Sequence, residues 1–122
     1  MKLVIASAAA CLLFAAEVRV IDGPAAERVD SGFAIIRWTT NTPGGSPVRY
    51  GVVRYGTDPR NLNQLAKSPI RLNPAHPVTV FRVRMPGLKP RTTYYYTVDS
   101  MEASGASDGV KSTVRRFTTL DN

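Results

Sequence analysis

The sequence predicts an all-β domain in which six or seven short strands pack as a two-sheet antiparallel sandwich. The 122 residues are 43% hydrophobic, which suits one domain with a single core. Nine glycines and nine prolines separate runs of β-branched and aromatic residues, so turn signals recur about every 8–12 residues. No stretch shows a helical period of useful length. Together these observations favour a sandwich over a helical fold.

The first half of the chain is predicted to hold three strands. Residues 17–22 alternate polar and apolar side chains, Gly23-Pro24 breaks this strand, and residues 26–29 continue it on the other side. Residues 33–40 form the second strand, and the β-branched, aromatic run 48–56 forms the third. The second strand is expected to face the core with Ala34, Ile36 and Trp38, and to face away from it with Ile35, Arg37 and Thr39.

The second half is predicted to add three strands and a weaker edge strand. The edge strand covers residues 61–67, and the proline-rich stretch 68–77 cannot lie in a sheet interior. Residues 77–85, 92–101 and 113–119 then complete the sandwich. The strand at 77–85 is expected to face the core with Thr79, Phe81, Val83 and Met85.

Residues 1–16 are predicted to be a signal peptide, which leaves 17–122 as the domain. After Met1-Lys2, the uncharged run 3–16 is too short to span a bilayer as a helix but suits the apolar core of a signal. Small residues allow cleavage after residue 15 or 16. We therefore expect a secreted, periplasmic or cell-surface protein with no transmembrane span after signal removal.

Two alternatives remain open for this segment. Ala8-Ala9-Ala10-Cys11 loosely resembles a lipobox, in which the cysteine would carry a lipid. A retained segment would instead serve as a membrane stub or as a strand given to a neighbouring subunit. The mass of the exported protein distinguishes these cases. Cys11 is the only cysteine, so the domain is expected to be held by packing without a disulfide.

A corner motif links the sequence to a known fold. Leu88, Pro90, Thr92 and Tyr94 follow the pattern L-x-P-x-T-x-Y, which resembles the E-to-F connection of fibronectin type III domains. The resemblance implies a seven-stranded antiparallel immunoglobulin-like sandwich whose tyrosine hydroxyl bonds back to the corner backbone. The I-R-W segment ending at Trp38 resembles the second strand of the same fold, with the tryptophan at the centre of the core.

A narrower resemblance covers about residues 24 to 120. The pattern is similar to the fibronectin-like N-terminal domain of purple acid phosphatases. Its matching segments are W-T-T at 38–40, V-R-Y-G at 53–56, an isolated His76, G-L-K-P-R-T-T-Y-Y-Y at 87–96 and F-T-T at 117–119.

The resemblance implies a non-catalytic role. In that family the chemistry belongs to a separate downstream domain, where Asp, Asn, His and Tyr ligands hold two metal ions. This sequence has one histidine, so the several histidine ligands of such a site are missing. We expect no enzymatic activity, no cofactor, no metal and no small-molecule substrate. His76 itself is expected to be a turn or packing residue.

Arginines are the candidate binding residues. Arg37, Arg82 and Arg84 are expected to form a basic stripe on one sheet, and Arg54 a similar patch on the other. The apolar side chains expected on the same two faces are Ile35, Val80, Tyr50 and Tyr95. With a formal net charge of +7, these faces suit an anionic surface, an acidic polysaccharide or a protein. Nucleic acid is not favoured, because no aromatic-basic groove is evident.

Three functions remain open at this point. The first is a secreted binding, adhesion or accessory module acting through a basic sheet face. The second is a structural subunit of an extracellular assembly, joined by strand exchange or head-to-tail packing. The third is a phosphatase-related accessory fragment without activity. Alternatively, the arginines merely solvate the sheet faces and limit aggregation. The polar loop 102–112 is expected to be a mobile connector.

Overall fold

The computed structural model describes residues 17–110 and 112–122, and the predicted signal peptide with Cys11 lies outside this range. Within these residues the chain forms seven β-strands, and no helix is long and apolar enough to cross a membrane. The strands are β1 (Val20–Val29), β2 (Ala34–Asn41), β3 (Val48–Gly56), β4 (Gln64–Arg71), β5 (Val78–Met85), β6 (Thr93–Glu102) and β7 (Arg115–Thr118).

The strands divide into two antiparallel sheets. The three-stranded sheet has the order β1-β2-β5, and the four-stranded sheet has the order β4-β3-β6-β7. Both sheets bury one face against the other, which confirms the prediction of a seven-stranded all-β sandwich. The side chains of β2 and β5 that were expected to face the core are all buried. Thr39, which was expected to face away from the core, is buried as well, so the burial of β2 does not alternate beyond Trp38.

β1 differs from the prediction, because it continues through Gly23-Pro24 as one strand. The pairing with β2 shifts register on both sides of Asp22, which are the irregularities expected of β-bulges. Gly23 has a φ of 85°, and a Cβ there would lie 2.9 Å from the carbonyl oxygen of Arg37. Glycine therefore lets the strand bend at this point without ending.

β4 also differs, because it lies at Gln64–Arg71 and not at residues 61–67. A turn delays its start: the Asn61 amide donates to the carbonyl oxygen of Asp58 at 2.9 Å. Pro69 lies within β4, opposite Tyr50 of β3. β4 is an edge strand, so the N–H groups on its outer side have no partner strand, and proline is tolerated in such strands.

Trp38 lies at the centre of the core and is fully buried. Its ring stacks on Phe81 of the neighbouring strand, with the ring centroids 5.2 Å apart. Gly51 of β3 approaches from the other sheet: a Cβ there would lie 3.0 Å from Val83 Cγ2 and 3.3 Å from the Trp38 ring. The indole Nε1 has no hydrogen-bond partner among the described residues, so this side chain stabilises the fold by packing.

The corner between β5 and β6 is fixed by Tyr94. The amide of Lys89 donates a hydrogen bond to Tyr94 Oη at 3.0 Å, and the buried Leu88 donates its own amide to the carbonyl oxygen of Gly32 at 2.9 Å. Thr92 Oγ1 donates to the carbonyl oxygen of Pro90 at 2.9 Å. The hydroxyl therefore bonds back to the corner backbone in the way that the fibronectin type III resemblance implies.

The Tyr94 hydroxyl gives a direct test of this corner. Tyr94→Phe keeps the ring but leaves the part-buried Lys89 amide without its acceptor, so the free energy of unfolding should fall by about 1–2 kcal/mol. Urea denaturation followed by circular dichroism measures the change. Tyr95→Phe is the matched control, because that ring is half-buried on the outer face and should change stability by less than about 0.5 kcal/mol. Equal losses in both variants would contradict a special role for the corner.

Candidate partner-binding surface

The outer face of the three-stranded sheet brings the predicted basic stripe together. Arg37 of β2 lies directly opposite Arg82 of β5, and Ile35 lies opposite Arg84. Directly paired residues of an antiparallel ladder share one face of the sheet. Val80, opposite Thr39, extends the same face, so the stripe is mixed basic and apolar as expected.

Carboxylates from β1 engage two of these arginines. Glu27 accepts two hydrogen bonds from Arg82, from Nε at 2.8 Å and from Nη2 at 3.1 Å. Asp22 lies 3.7 Å from Arg37. The hydrogen bonds from Arg82 hold the pKa of Glu27 below its ordinary value of 4.5, and the charges of Arg82 and Arg37 act in the same direction. The charge of this stripe is therefore largely balanced within the sheet.

Arg84 has a different neighbour. Its guanidinium carbon lies 4.5 Å from the centroid of the Phe33 ring, a cation–π contact that Arg28 also makes at 5.3 Å. Arg28 is paired with Asp30 at 3.5 Å. Among the ion pairs formed by residues 17–110 and 112–122, none involves Arg84. Arg84 thus carries the least compensated charge of the predicted stripe.

The outer face of the four-stranded sheet, here called the βC face, holds Arg54. In register, Arg54 lies between Leu65 of β4 and Thr97 of β6. One row along, Tyr95 of β6 lies opposite Arg116 of β7. The cationic side chains on strands of the βC face are Arg54, Lys67, Arg71 and Arg116. The structure therefore places Arg54 and Tyr95 in one patch, and places that patch on the opposite side of the molecule from the stripe.

The βC face carries little negative charge to balance these cations. Asp99 is the carboxylate that its described strands present on this side, and it lies 3.9 Å from Arg54. Asp99 is largely buried and already accepts hydrogen bonds from Ser107 Oγ at 2.6 Å and from the Val110 amide at 3.1 Å. The cations of the βC face thus outnumber its carboxylate, which faces the adjoining loop.

A buried ion pair joins two loops at one end of the sandwich. Arg49 and Asp108 are 3% and 7% exposed, and Nε and Nη2 of the arginine each lie 3.3 Å from a carboxylate oxygen. Arg49 also donates to the carbonyl oxygens of Gly44, at 2.6 Å, and Ser46. The pair therefore ties the loop after β2 to the loop after β6.

Sequence reasoning missed this ion pair, although a signal for it exists. Gly51, Val53 and Tyr55 alternate on the inner side of β3, and the same alternation turns Arg49 inward. An arginine on a core-facing position requires a buried acceptor. The loop 102–112 offers Asp108, which is the acceptor that the structure shows.

The described part of the loop after β6 is densely hydrogen-bonded. Ser100 Oγ donates to Asp108 Oδ2 at 2.6 Å. The Glu102 amide donates to the carbonyl oxygen of Ala106 at 2.9 Å, and the Gly105 amide to that of Glu102 at 2.8 Å. The sequence predicts a mobile connector here, whereas the structure shows a loop whose polar groups are hydrogen-bonded, in part to the carboxylates of Asp99 and Asp108.

No group of three His, Cys, Asp or Glu side chains in the described part of the chain could hold a metal ion. His76 is exposed in the turn before β5. Its amide donates to the carbonyl oxygen of Asn73 at 3.0 Å, and its own carbonyl oxygen accepts from Thr42 Oγ1 at 2.6 Å. The described contacts of His76 are therefore those of a turn.

The seven-stranded sandwich with its tyrosine corner defines the chain as a fibronectin type III-like module. The chain belongs to the family of purple acid phosphatase N-terminal domains: the family profile, described as Purple acid Phosphatase, N-terminal domain, matches residues 27–119. This confirms the resemblance that the sequence motifs indicate. No curated protein matches the chain significantly.

Solved structures share the fold at low identity. The sensor domain of the anti-sigma factor RsgI4 in Pseudobacteroides cellulosolvens matches in a shorter form with 22% identity, 89% of this chain, 100% of that chain and a TM-score of 0.57. Its longer form matches with 20% identity, covers 87% of this chain and 90% of that chain, and has a TM-score of 0.53. The fibronectin type III domain of human fibronectin type III domain containing protein 3 matches with 16% identity, covers 83% of this chain and 84% of that chain, and has a TM-score of 0.50. At these identities the likeness shows the fold alone.

The buried ion pair predicts that replacing Asp108 costs far more stability than replacing the exposed Asp121. Asp108→Ala leaves the Arg49 guanidinium buried without its carboxylate, so the free energy of unfolding should fall by about 3 kcal/mol. Asp121→Ala removes a carboxylate of an ion pair with Arg91 in which both side chains are exposed, and should cost less than about 0.5 kcal/mol. Urea denaturation measures both. A loss of stability in Asp108→Ala as small as that in Asp121→Ala would contradict a stabilising role of the Arg49–Asp108 pair.

The Glu27–Arg82 pair predicts a pH-dependent contribution. Since the pKa of Glu27 is lowered in the folded protein, the pair stabilises the fold above the ordinary pKa and loses this effect as the pH falls through the lowered value. An NMR titration of the Glu27 carboxyl should give a midpoint below 4.5. Arg82→Gln should move the midpoint upward, whereas Arg84→Gln should leave it in place. An unchanged midpoint in Arg82→Gln would show that the pair does not form.

Proposed function

We propose that this chain is an exported, non-catalytic binding module that holds an anionic partner through the βC face. The observation that carries the proposal is the excess of cations there: Arg54, Lys67, Arg71 and Arg116 share the outer side of the strands with one strand carboxylate, Asp99, whereas Glu102 of β6 lies opposite the inward-facing Arg49. An excess of one sign on a surface attracts the opposite sign over several ångströms and favours association with it.

The pairing of the other arginines supports this choice of face. Arg82 donates two hydrogen bonds to Glu27, and Arg37 lies near Asp22, so an anionic partner would have to compete with these carboxylates. Arg54 lies 3.9 Å from Asp99, which is beyond hydrogen-bond distance, and this carboxylate already accepts a hydrogen bond from Ser107 Oγ. Arg84 remains a secondary contact in this proposal, because it has an aromatic neighbour and no carboxylate among the described ion pairs.

Two further parts of the proposal have separate support. The absence of catalysis is supported by the family, because purple acid phosphatase N-terminal domains and fibronectin type III folds are non-catalytic modules. Export is supported by the charge and apolar pattern of residues 1–16. The proposed partner is an acidic polysaccharide or an acidic protein at a cell surface or in the extracellular space.

Two matched double variants test the face. Arg54→Gln with Arg116→Gln should weaken binding to a heparin oligosaccharide about tenfold at moderate salt, because two cations without strong partners are lost. Arg37→Gln with Arg82→Gln changes the net charge equally but removes cations that β1 carboxylates already engage. Its effect should be clearly smaller, as measured by calorimetry or by elution from immobilised heparin.

Equal weakening in the two double variants would mean that only net charge matters, and would overturn the assignment of a face. Unchanged affinity in the first variant would overturn the proposed function itself. Circular dichroism controls for folding in both, and the four arginines are partly or fully exposed.

A further inference from the structure

We propose that the partner of the βC face is an acidic protein segment that presents carboxylates beside aliphatic side chains. This inference rests on the proposed function and names the chemical class of its ligand. It is carried by the apolar side chains that the structure places among the cations, which a simple charged surface does not need.

Leu65 is the first of these side chains. It is 50% exposed on the edge strand β4 and lies directly opposite Arg54 in register. An exposed leucine beside an arginine offers an apolar contact and a two-pronged donor in adjacent positions. A carboxylate flanked by an aliphatic side chain matches both groups at once. A sulfated glycan would match the arginine alone, because it has no aliphatic side chain to cover the leucine.

The tyrosines give the same composition along the rest of the face. Tyr95 is half-buried opposite Arg116, and Tyr50 is half-buried beneath the Lys67 ammonium, which lies 5.0 Å from its ring centroid. Val52 lies between Tyr50 and Arg54 on the outward side of β3. It is only 1% exposed, so neighbouring side chains cover it. Tyrosine and arginine over an apolar floor are the residues enriched in the centres of protein–protein interfaces.

Charge decides against a second copy of this chain as the occupant. A two-fold contact through this face would bring Arg54, Lys67 and Arg116 of one copy against the same cations of the other. Like charges placed opposite each other in an interface cost several kcal/mol. The complement of the βC face is therefore a different, acidic chain.

The test compares two synthetic peptides of equal length and charge. One alternates glutamate with leucine, and the other alternates glutamate with serine. The protein should bind the glutamate–leucine peptide about tenfold more tightly than the glutamate–serine peptide. In NMR titrations, the amide shifts caused by the first peptide should cluster at Arg54, Leu65 and Tyr95, not at Arg84.

Leu65→Ser is the decisive variant, because it leaves the charge unchanged. It should weaken binding of the glutamate–leucine peptide about fivefold and leave the affinities for the glutamate–serine peptide and the heparin oligosaccharide unchanged. Ile21→Ser is the matched control: Ile21 is 55% exposed on β1, in the other sheet, and its loss should change none of the three affinities. The folded spectrum of each variant is recorded first.

Three outcomes separate the two levels of the proposal. Equal affinity for the two peptides, or an unchanged affinity in Leu65→Ser, would overturn the protein partner while heparin binding through Arg54 and Arg116 still stands. Loss of binding in Ile21→Ser would overturn it as well, since the apolar contact would then lie on the other sheet. Failure of Arg54→Gln with Arg116→Gln to weaken any probe would overturn both levels.

Discussion

Trp38 and Phe81 stack within the three-stranded sheet, and Gly51 lets the backbone of the four-stranded sheet come up against them. A methyl group at position 51 would meet Val83 and Phe81 side-chain atoms at 3.0 and 3.1 Å, so these core side chains would have to shift by a few tenths of an ångström. Close approach matters because interior side chains gain dispersion energy only at contact distance. This inner contact holds the two sheets against each other, and the arginines lie on their outer faces.

The alternation of residues let the sequence predict most of the fold. Alternation in β2 and β5 predicted the core-facing side chains, although Thr39 is buried as well, and the motif from Leu88 to Tyr94 indicated the corner. The errors fall where backbone chemistry competes with alternation. Gly23 bends β1 without ending it, and Pro69 is accepted in β4 because that strand is at an edge.

The candidate site was less predictable, because register and pairing across strands decide it. The pattern places Arg37 and Arg82 on an outer face, but only the fold shows Glu27 and Asp22 beside them. The same limit applies to Arg54, whose neighbours come from β4 and β6 at distant positions in the chain. Single strands reveal which way a side chain points, whereas its electrostatic partners are a property of the assembled sheet.

The Arg49–Asp108 pair has a consequence for engineering. Because one guanidinium holds carbonyl oxygens of Gly44 and Ser46 as well as the carboxylate of the loop after β6, the two loops form a single unit. A foreign sequence grafted into either loop would have to carry its half of this contact. The turn between β3 and β4 closes on itself through Asp58 and Asn61 and has no such tie to another loop within residues 17–110 and 112–122. It is the better insertion point if this domain is used as a display scaffold.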